Sequence, residues 1–261
     1  MVRNGLSRTT LHSFERKSSN SPISHSANSA LAWPAALEWR SVPARCAERY
    51  NICICREKKS LHDSQRDTPR IRRLRHQFKR RITEELSSRL GHLKFIDESG
   101  VNLGLTRRFG RARPGQRVVE GTPGDSGAHY TLLAALSVHG IQAPWVLEGA
   151  MDGTAFEVYV EQILLPTLHR GDIVLMDNLS FHKAPRIRTL IESIGARLEF
   201  LPPYSPDLNP IELCWSKVKT ALRTAKARTF EALLAALAES LGGVTKQDAQ
   251  AWFAHCGYIK P

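Results

Sequence analysis

The spacing of apolar and polar residues changes several times along the chain, and each spacing predicts a different element. In residues 68–90 the apolar positions recur every three or four residues, which predicts a helix with one buried face and a basic remainder. Beyond His92 the pattern predicts first antiparallel strands and then strands and helices in alternation. That order indicates an α/β fold, a mixed sheet flanked by helices on both faces.

The segment after His92 supplies the elements of the predicted sheet. Strands are predicted at 93–97, 130–138, 143–147, 172–176 and 197–201, and helices at 153–168, 185–194, 209–224 and 230–241. Residues 104–119 predict a hairpin region, with turn signals at Gly110 and at Pro114-Gly115. The apolar run at 173–176 is short and continuous, as expected of a strand in the middle of a sheet.

Charge is distributed unevenly along the 261 residues. Residues 1–90 hold 19 Lys and Arg against 8 Asp and Glu, whereas residues 91–261 hold 18 against 17. A basic N-terminal extension beside a balanced domain indicates a polyanionic partner, although a solvated tail has the same composition. We expect residues 1–56, which lack sustained periodicity, to be an atypical segment, disordered or misread. Residues 57–90 are then a basic helical linker, and residues 91–261 the α/β domain.

Cysteine usage and hydropathy narrow the cellular setting. The five cysteines are odd in number and irregular in spacing, which argues against a disulfide framework and against a zinc site. No apolar run approaches the ~20 residues that a bilayer span needs. The expected setting is therefore the cytoplasm, without a membrane partner.

Two aspartates each follow an apolar strand. Asp97 comes directly after Lys94-Phe95-Ile96, and Asp177 directly after the run at 173–176. Ligands gather at the carboxyl ends of strands in open α/β sheets, so the two carboxylates are candidates to share divalent metal ions. For either aspartate alone, a turn-forming or capping role is favoured over metal binding; the pair, each preceded by an apolar strand, favours the metal site.

A third acidic residue, Glu212, falls in the first turn of the helix predicted at 209–224. Asn209 fits the N-cap, Pro210 the first helical position and Glu212 the third, which is a capping-box arrangement. Glu212 shares a helix face with Ser216, Lys219 and Arg223, away from the apolar face. A structural role and a metal-binding role for Glu212 are both compatible with this position.

Three segments of the chain resemble the signature blocks of DDE transposases. They are 95–99 (FIDES), 176–183 (MDNLSFHK) and 201–212 (LPPYSPDLNPIE), and 34 residues separate Asp177 from Glu212. The resemblance is strongest to bacterial insertion-sequence transposases allied to the mariner superfamily, and it covers residues 58–258. It implies a ribonuclease-H-like fold and an enzyme that cuts and joins DNA strands.

The resemblance also implies roles for individual residues. Asp97, Asp177 and Glu212 are expected to be catalytic and to hold two Mg²⁺ or Mn²⁺ ions, since hard cations prefer carboxylate oxygens. Asn178, His182 and Asn209 are expected to support them. Residues expected to contact DNA are Arg107, Arg108, Arg111, Arg113, Lys183 and Lys219, with Arg117 on the same hairpin. Glu98 is expected to point to the other side of its strand and is left out of the triad.

The expected partners are double-stranded DNA, as transposon ends and as target, and a second copy of the chain on that DNA, in a bacterial nucleoid. Members of this group carry helix-turn-helix modules upstream, and residues 1–56 show no such pattern. We therefore expect a truncated or rearranged copy. A catalytically silent DNA-binding remnant stays open as the alternative function, and a ribonuclease H or resolvase-like nuclease is a third possibility.

Overall fold

A computed structural model of the protein describes residues 62–259, so the interpretation of residues 1–56 lies outside the described part. Five strands form one mixed sheet: β1 Leu93–Asn102, β2 His129–Ser137, β3 Gly140–Glu148, β4 Ile173–Met176 and β5 Arg197–Phe200. Their order is β3-β2-β1-β4-β5. β1 pairs antiparallel with β2 and parallel with β4, so the sheet changes from antiparallel to parallel at its central strand.

In the described part of the chain, six α-helices accompany the sheet: α1 Pro69–Glu84, α2 Gly153–Val158, α3 Pro185–Ser193, α4 Pro210–Ala225, α5 Phe230–Gly242 and α6 Lys246–His255. A π-helical turn, Tyr159–Leu164, continues α2, followed by a 3-10 turn at Leu165–Thr167. Shorter 3-10 turns lie at Ser64–Asp67, Leu86–His92, Phe181–Lys183 and Pro206–Leu208. Within residues 62–259, no helix has both the length and the apolar content needed to cross a bilayer.

Each face of the sheet has its own hydrophobic core. On one face, Phe95 and Leu175 pack with the buried sides of α1, α4, α5 and α6. On the other face, Ile96 and Val174 pack with α2, its π-helical continuation and α3. Neighbouring residues of β1 and β4 thus alternate between the two cores, as the two-residue repeat of a strand requires. The expected α/β class, a mixed sheet between helical layers, is confirmed.

The basic helix predicted at 68–90 is present as α1. Its apolar face is buried at Ile71, Phe78 and Ile82, and Leu86 follows in the same core. Phe78, Ile82 and Leu86 pack in the cluster that also contains Phe95 of the central strand. The helix therefore folds against the sheet through its apolar stripe and leaves most of its arginines in solvent.

Two expectations about elements were wrong, and one helix was not predicted. Strand β1 does not end at Asp97 but runs to Asn102, because β2 pairs with it as far as His129. Residues 104–119 form no strands, and the turn at Pro114-Gly115 belongs to an exposed loop rather than to a hairpin. Helix α6 was not predicted: five of its ten residues are apolar, but three of these are alanines, and only Ala249 and Phe253 are buried.

Candidate active site

Asp97 lies inside the central strand, where β1 is opposite Ala134 of β2. Only 8% of the residue is exposed. Its Oδ1 accepts a hydrogen bond from the backbone N–H of Glu98 at 2.9 Å, and its Oδ2 accepts one from Asn209 Nδ2 at 3.2 Å. Strand pairing thus fixes the backbone of Asp97, and a residue from the start of α4 fixes its carboxylate.

Asp177 follows the last residue of β4, as the sequence predicts, and 41% of its side chain is exposed. Its Oδ1 accepts two hydrogen bonds, from the backbone N–H of Leu179 at 2.9 Å and from His182 Nδ1 at 2.7 Å. Among the described residues no hydrogen bond reaches Oδ2. The carboxylate is therefore held by one oxygen and presents the other.

Glu212 occupies the first turn of α4 and is the most exposed of the three acids. The expected capping box is absent, because the Asn209 side chain makes no capping hydrogen bond and donates to Asp97 instead. The buried face of α4 was correctly anticipated and includes Ile211, Trp215 and Val218. Glu212 is thus turned away from the core by the helix repeat rather than tied to the helix start.

The three carboxylates face one cleft of about 440 Å³. One side of it is acidic and the other is formed by the loop that joins β5 to α4. The lining residues are Asp97, Asp177, Asn178, Leu179, Leu201, Pro202, Pro203, Tyr204, Ser205, Pro206, Asn209 and Glu212. The structure therefore brings together the three acids that the sequence singled out.

The acids repel one another electrostatically. Burial, together with the negative charges of Glu212, Glu98 and Asp177, raises the pKa of Asp97 well above its ordinary value of 3.8. Burial and the charge of Asp177 also raise the pKa of Glu212, against the opposing effect of Lys219. For Asp177, burial acts in the same direction, but hydrogen bonds from His182 and Leu179 outweigh it and lower its pKa.

His182 is fully buried behind Asp177 and contacts a carboxylate that sequence reasoning left out. Its Nε2 lies 3.4 Å from Glu98 Oε2, while its Nδ1 bonds Asp177. Burial disfavours the imidazolium, yet hydrogen bonding and charge from Asp177 and Glu98 raise the pKa of His182 to about 9. Glu98 does point to the opposite side of the strand from Asp97, as expected, but that side leads to His182.

The loop beside the acids is fastened to α1. Arg75, which the sequence placed among the exposed arginines, is 6% exposed. It donates to Ser205 Oγ at 2.6 Å and makes two bonds to the carboxylate of Asp207. Asn178 Nδ2 donates to the backbone oxygen of Leu201, which ties the end of β4 to the start of the same loop. Neither contact was visible in the sequence.

The basic residues expected to contact DNA divide into two groups. Lys219 lies on the Glu212 face of α4, one turn before Arg223, and burial together with the positive charge of Arg223 lowers the pKa of Lys219. Arg108 lies close enough to lower the pKa values of both. Arg107 donates to Thr224 Oγ1 at 3.3 Å, which fastens the start of the exposed loop to α4.

The other basic residues that were expected to contact DNA lie apart from the group around Lys219. Arg111, Arg113 and Arg117 are exposed farther along the loop, and Lys183 Nζ lies 5.9 Å from the ring centre of Phe200. Arg223 was missed as a candidate for DNA contact. Its spacing of four residues from Lys219 on one helix face was the available signal.

The donor set suits a hard divalent cation, since it consists of carboxylate oxygens whose mutual repulsion a cation relieves. Within residues 62–259, no three His, Cys, Asp or Glu side chains have the spacing of a ready-made site for a single ion.

The family of the chain follows from a comparison with family sequence models. The model described as DDE superfamily endonuclease matches residues 92–234, more than half of the chain and all of the acidic cleft. The chain belongs to the DDE superfamily endonucleases. A search of curated protein sequences gave no match.

Solved structures show the same fold in DDE transposases at low sequence identity. A pre-cleavage Mos1 transpososome matches with a TM-score of 0.63 and 15% identity, over 81% of this chain and 66% of the Mos1 chain. A mariner Mos1 paired end complex with Mn matches with a TM-score of 0.61 and 17% identity, over 81% and 67%. The catalytic domain of Mos1 mariner transposase matches at 0.53 and 15%, over 76% and 91%. The expected ribonuclease-H-like fold is thereby confirmed.

Proposed function

We propose that this DDE superfamily endonuclease is a transposase that cleaves DNA and transfers the cut strand, with Asp97, Asp177 and Glu212 as its catalytic residues. The observation that carries the proposal is the convergence of these three carboxylates on one cleft. They come from the central strand, the end of the adjacent strand and the first turn of a helix. Similarity to Mos1 complexes with transposon ends supports a DNA substrate.

The three carboxylates are proposed to hold two Mg²⁺ or Mn²⁺ ions. Asp97 experiences the charge of both other acids, so a bound cation would relieve repulsion at this residue. When bound, such ions activate the attacking oxygen and stabilise the leaving oxygen of an in-line displacement at phosphorus. Mos1 structures containing Mg and Mn support this choice of metals. No side chain is required as a covalent nucleophile.

The surrounding residues position the acids and the DNA. Asn209 holds the carboxylate of Asp97, and His182 holds that of Asp177, so neither needs to reorient when a phosphodiester enters. In the first step water attacks phosphorus and a strand ends in a free 3′-hydroxyl. In the second step that hydroxyl attacks the phosphorus of a target phosphodiester, the bond to the target strand's own 3′ oxygen breaks, and this oxygen leaves as a new 3′-hydroxyl. Lys219 lies beside Glu212, and Arg223 and Arg108 lie near Lys219; these three residues are proposed to bind the DNA backbone.

The proposed domain organisation follows from the packing of the core. We propose residues 91–261 as the catalytic domain and α1 as part of the same folded body, since its apolar face joins the core of the sheet. A homodimer on paired DNA ends is the proposed working form, by similarity to the Mos1 paired-end complex.

The test is cleavage of labelled DNA that carries the ends of the element, with the full chain and Mg²⁺ or Mn²⁺. We expect nicking that excess chelator stops, and that Asp177→Asn reduces by at least about 10³-fold while the thermal unfolding temperature is retained. Equal activity in that variant would reject the assignment. Salt-dependent binding without cleavage under either metal would favour the silent DNA-binding alternative.

A further inference from the structure

His182 lies in an apolar surrounding that leaves it few polar partners. Its side chain is 0% exposed, and its ring centre lies 4.4 Å from that of Phe156 and 4.6 Å from that of Phe181. A polar ring in such a place costs free energy unless both nitrogens are satisfied. The contacts available to these nitrogens therefore determine how the ring is oriented.

Each nitrogen faces a different carboxylate. Nδ1 lies 2.7 Å from Asp177 Oδ1, and Nε2 lies 3.4 Å from Glu98 Oε2. Both Nε2 and Oε2 are shielded from solvent, and neither has an aligned hydrogen bond to another described residue. Nε2 and Oε2 are therefore paired with each other, at 3.4 Å. Rotation of the imidazole ring would break this contact and the contact of Nδ1 with Asp177.

Glu98 reaches this position because of the strand repeat. Its neighbour Asp97 projects toward α4, whereas Glu98 is opposite Leu133 of β2, on the face that packs against α2 and α3. The side chain is 17% exposed and ends beside His182. The chain thus places the metal-binding candidate Asp97 on one face of β1. One residue later, it places the carboxylate of Glu98 on the other face, where Glu98 contacts the histidine that holds Asp177.

We propose that Glu98 is a positioning residue that acts through His182 on Asp177. It fixes the imidazole so that His182 holds Oδ1 of Asp177 and leaves Oδ2 directed to the cleft. The inference rests on the proposed function, because it concerns the orientation of a carboxylate assigned to metal binding. Substitution of a residue that orients a metal ligand in this way typically weakens metal affinity by about 10- to 100-fold.

A direct electrostatic effect of Glu98 on the cation is the competing explanation. The two explanations predict different metal binding for Glu98→Gln. Glu98→Gln keeps an acceptor oxygen for His182 Nε2 but removes the negative charge. Glu98→Leu removes both. Positioning therefore predicts rescue by glutamine, whereas an electrostatic effect predicts that glutamine and leucine behave alike.

The experiment measures Mn²⁺ binding to the full chain without DNA, by electron paramagnetic resonance of the free ion. We expect Glu98→Leu to weaken binding about tenfold and Glu98→Gln to stay within about threefold of the unaltered protein. On an Asp177→Asn background, Glu98→Leu should have no further effect, because the residue it positions no longer ligates. The control is His92→Leu, which removes a histidine–carboxylate contact of 3.3 Å, with Asp172, at the other end of β4.

The outcomes separate this inference from the proposed function. Asp97→Asn must itself weaken Mn²⁺ binding, and if it does not, the metal site and with it the proposed function fail. If Asp97→Asn weakens Mn²⁺ binding but Glu98→Leu does not, only the positioning role is overturned. The same holds if Glu98→Gln binds Mn²⁺ as weakly as Glu98→Leu does. An undiminished effect of Glu98→Leu on the Asp177→Asn background overturns it as well. Should Glu98→Leu fail to fold, Glu98→Met replaces it, since methionine has a similar reach and no acceptor oxygen.

Discussion

Arg75 and Asp207 are 132 residues apart in the chain and meet in a two-pronged ion pair, with Nη1 2.9 Å from Oδ1 and Nη2 2.7 Å from Oδ2. The same guanidinium donates to Ser205. Ser205 and Asp207 both belong to the segment that joins β5 to α4 and borders the acidic cleft. The basic helix α1 thereby holds one wall of the candidate active site in place, in addition to covering the sheet.

Replacing Arg75 by methionine keeps much of the side-chain volume and removes all of these bonds. We expect Arg75→Met to lower the free energy of unfolding by about 2 kcal/mol, because a buried arginine pair is lost while Asp207 remains partly solvated. Urea denaturation measures the change. Arg72→Met is the matched control on the same helix: its side chain is 69% exposed, and its substitution should cost under about 0.5 kcal/mol. Equal losses in the two variants would contradict this role of Arg75.

The same pair predicts a dependence of stability on pH. Burial raises the pKa of Asp207, but the hydrogen bonds and charge of Arg75 outweigh it and bring the pKa below its ordinary value of 3.8. A carboxylate with a depressed folded-state pKa contributes stability above its unfolded pKa and loses it as the pH falls through the folded value. The difference in unfolding free energy between the unaltered protein and Arg75→Met should stay constant from about pH 8 to 5 and shrink below about pH 4. A difference that grows on acidification would contradict the assignment.

The acids of the cleft predict a conflict between stability and function. In chelator, Asp97→Asn should raise the free energy of unfolding by roughly 0.5–2 kcal/mol, because a buried charge that Glu212, Glu98 and Asp177 repel is removed. Asn209 can accommodate the new amide, since its buried Oδ1 has no hydrogen bond and a rotation of the Asn209 amide turns this acceptor toward residue 97. Thermal unfolding with and without Mn²⁺ is the measurement. The unaltered protein should gain stability from Mn²⁺, and Asp97→Asn should gain less; an apo variant less stable than the unaltered protein would count against the repulsion.

Local pattern was sufficient for most elements and for the positions of two of the acids, because each of these two is marked by its own neighbours in sequence. Asp177 follows four apolar residues, and Glu212 follows Asn209-Pro210 at a helix start. What the sequence did not provide were contacts between distant elements. The length of β1 depends on its pairing with β2, which overrides the turn tendency of Ser99-Gly100.

The roles of Arg75 and Glu98 show the same limit at the level of side chains. In sequence Arg75 is one of several arginines on a basic helix, and only the position of Asp207 distinguishes it. Glu98 was correctly assigned to the opposite face of β1, but the partner on that face comes from a turn 84 residues later, at His182. A pattern with a period of two or three to four residues identifies which way a side chain points but not what it meets there.

The basic residues on the Glu212 face of α4 predict how the affinity for DNA changes with salt concentration. Lys219 and Arg223 share a face of α4 with Glu212. Burial and the positive charges of Arg223 and Arg108 lower the pKa of Lys219, and burial and the charge of Arg108 lower that of Arg223, so an approaching phosphate relieves repulsion. Each phosphate contact steepens the fall of the binding constant with salt concentration, by about 0.9 in the double-logarithmic slope. Lys219→Gln and Arg223→Gln should therefore each flatten that slope by nearly one, measured by fluorescence anisotropy with labelled duplex DNA. Arg170→Gln removes the same charge from an exposed position before β4, at the opposite end of that strand from Asp177, and should leave the slope unchanged. If all three substitutions flatten the slope equally, binding depends on net charge alone, and the backbone contact assigned to α4 is wrong.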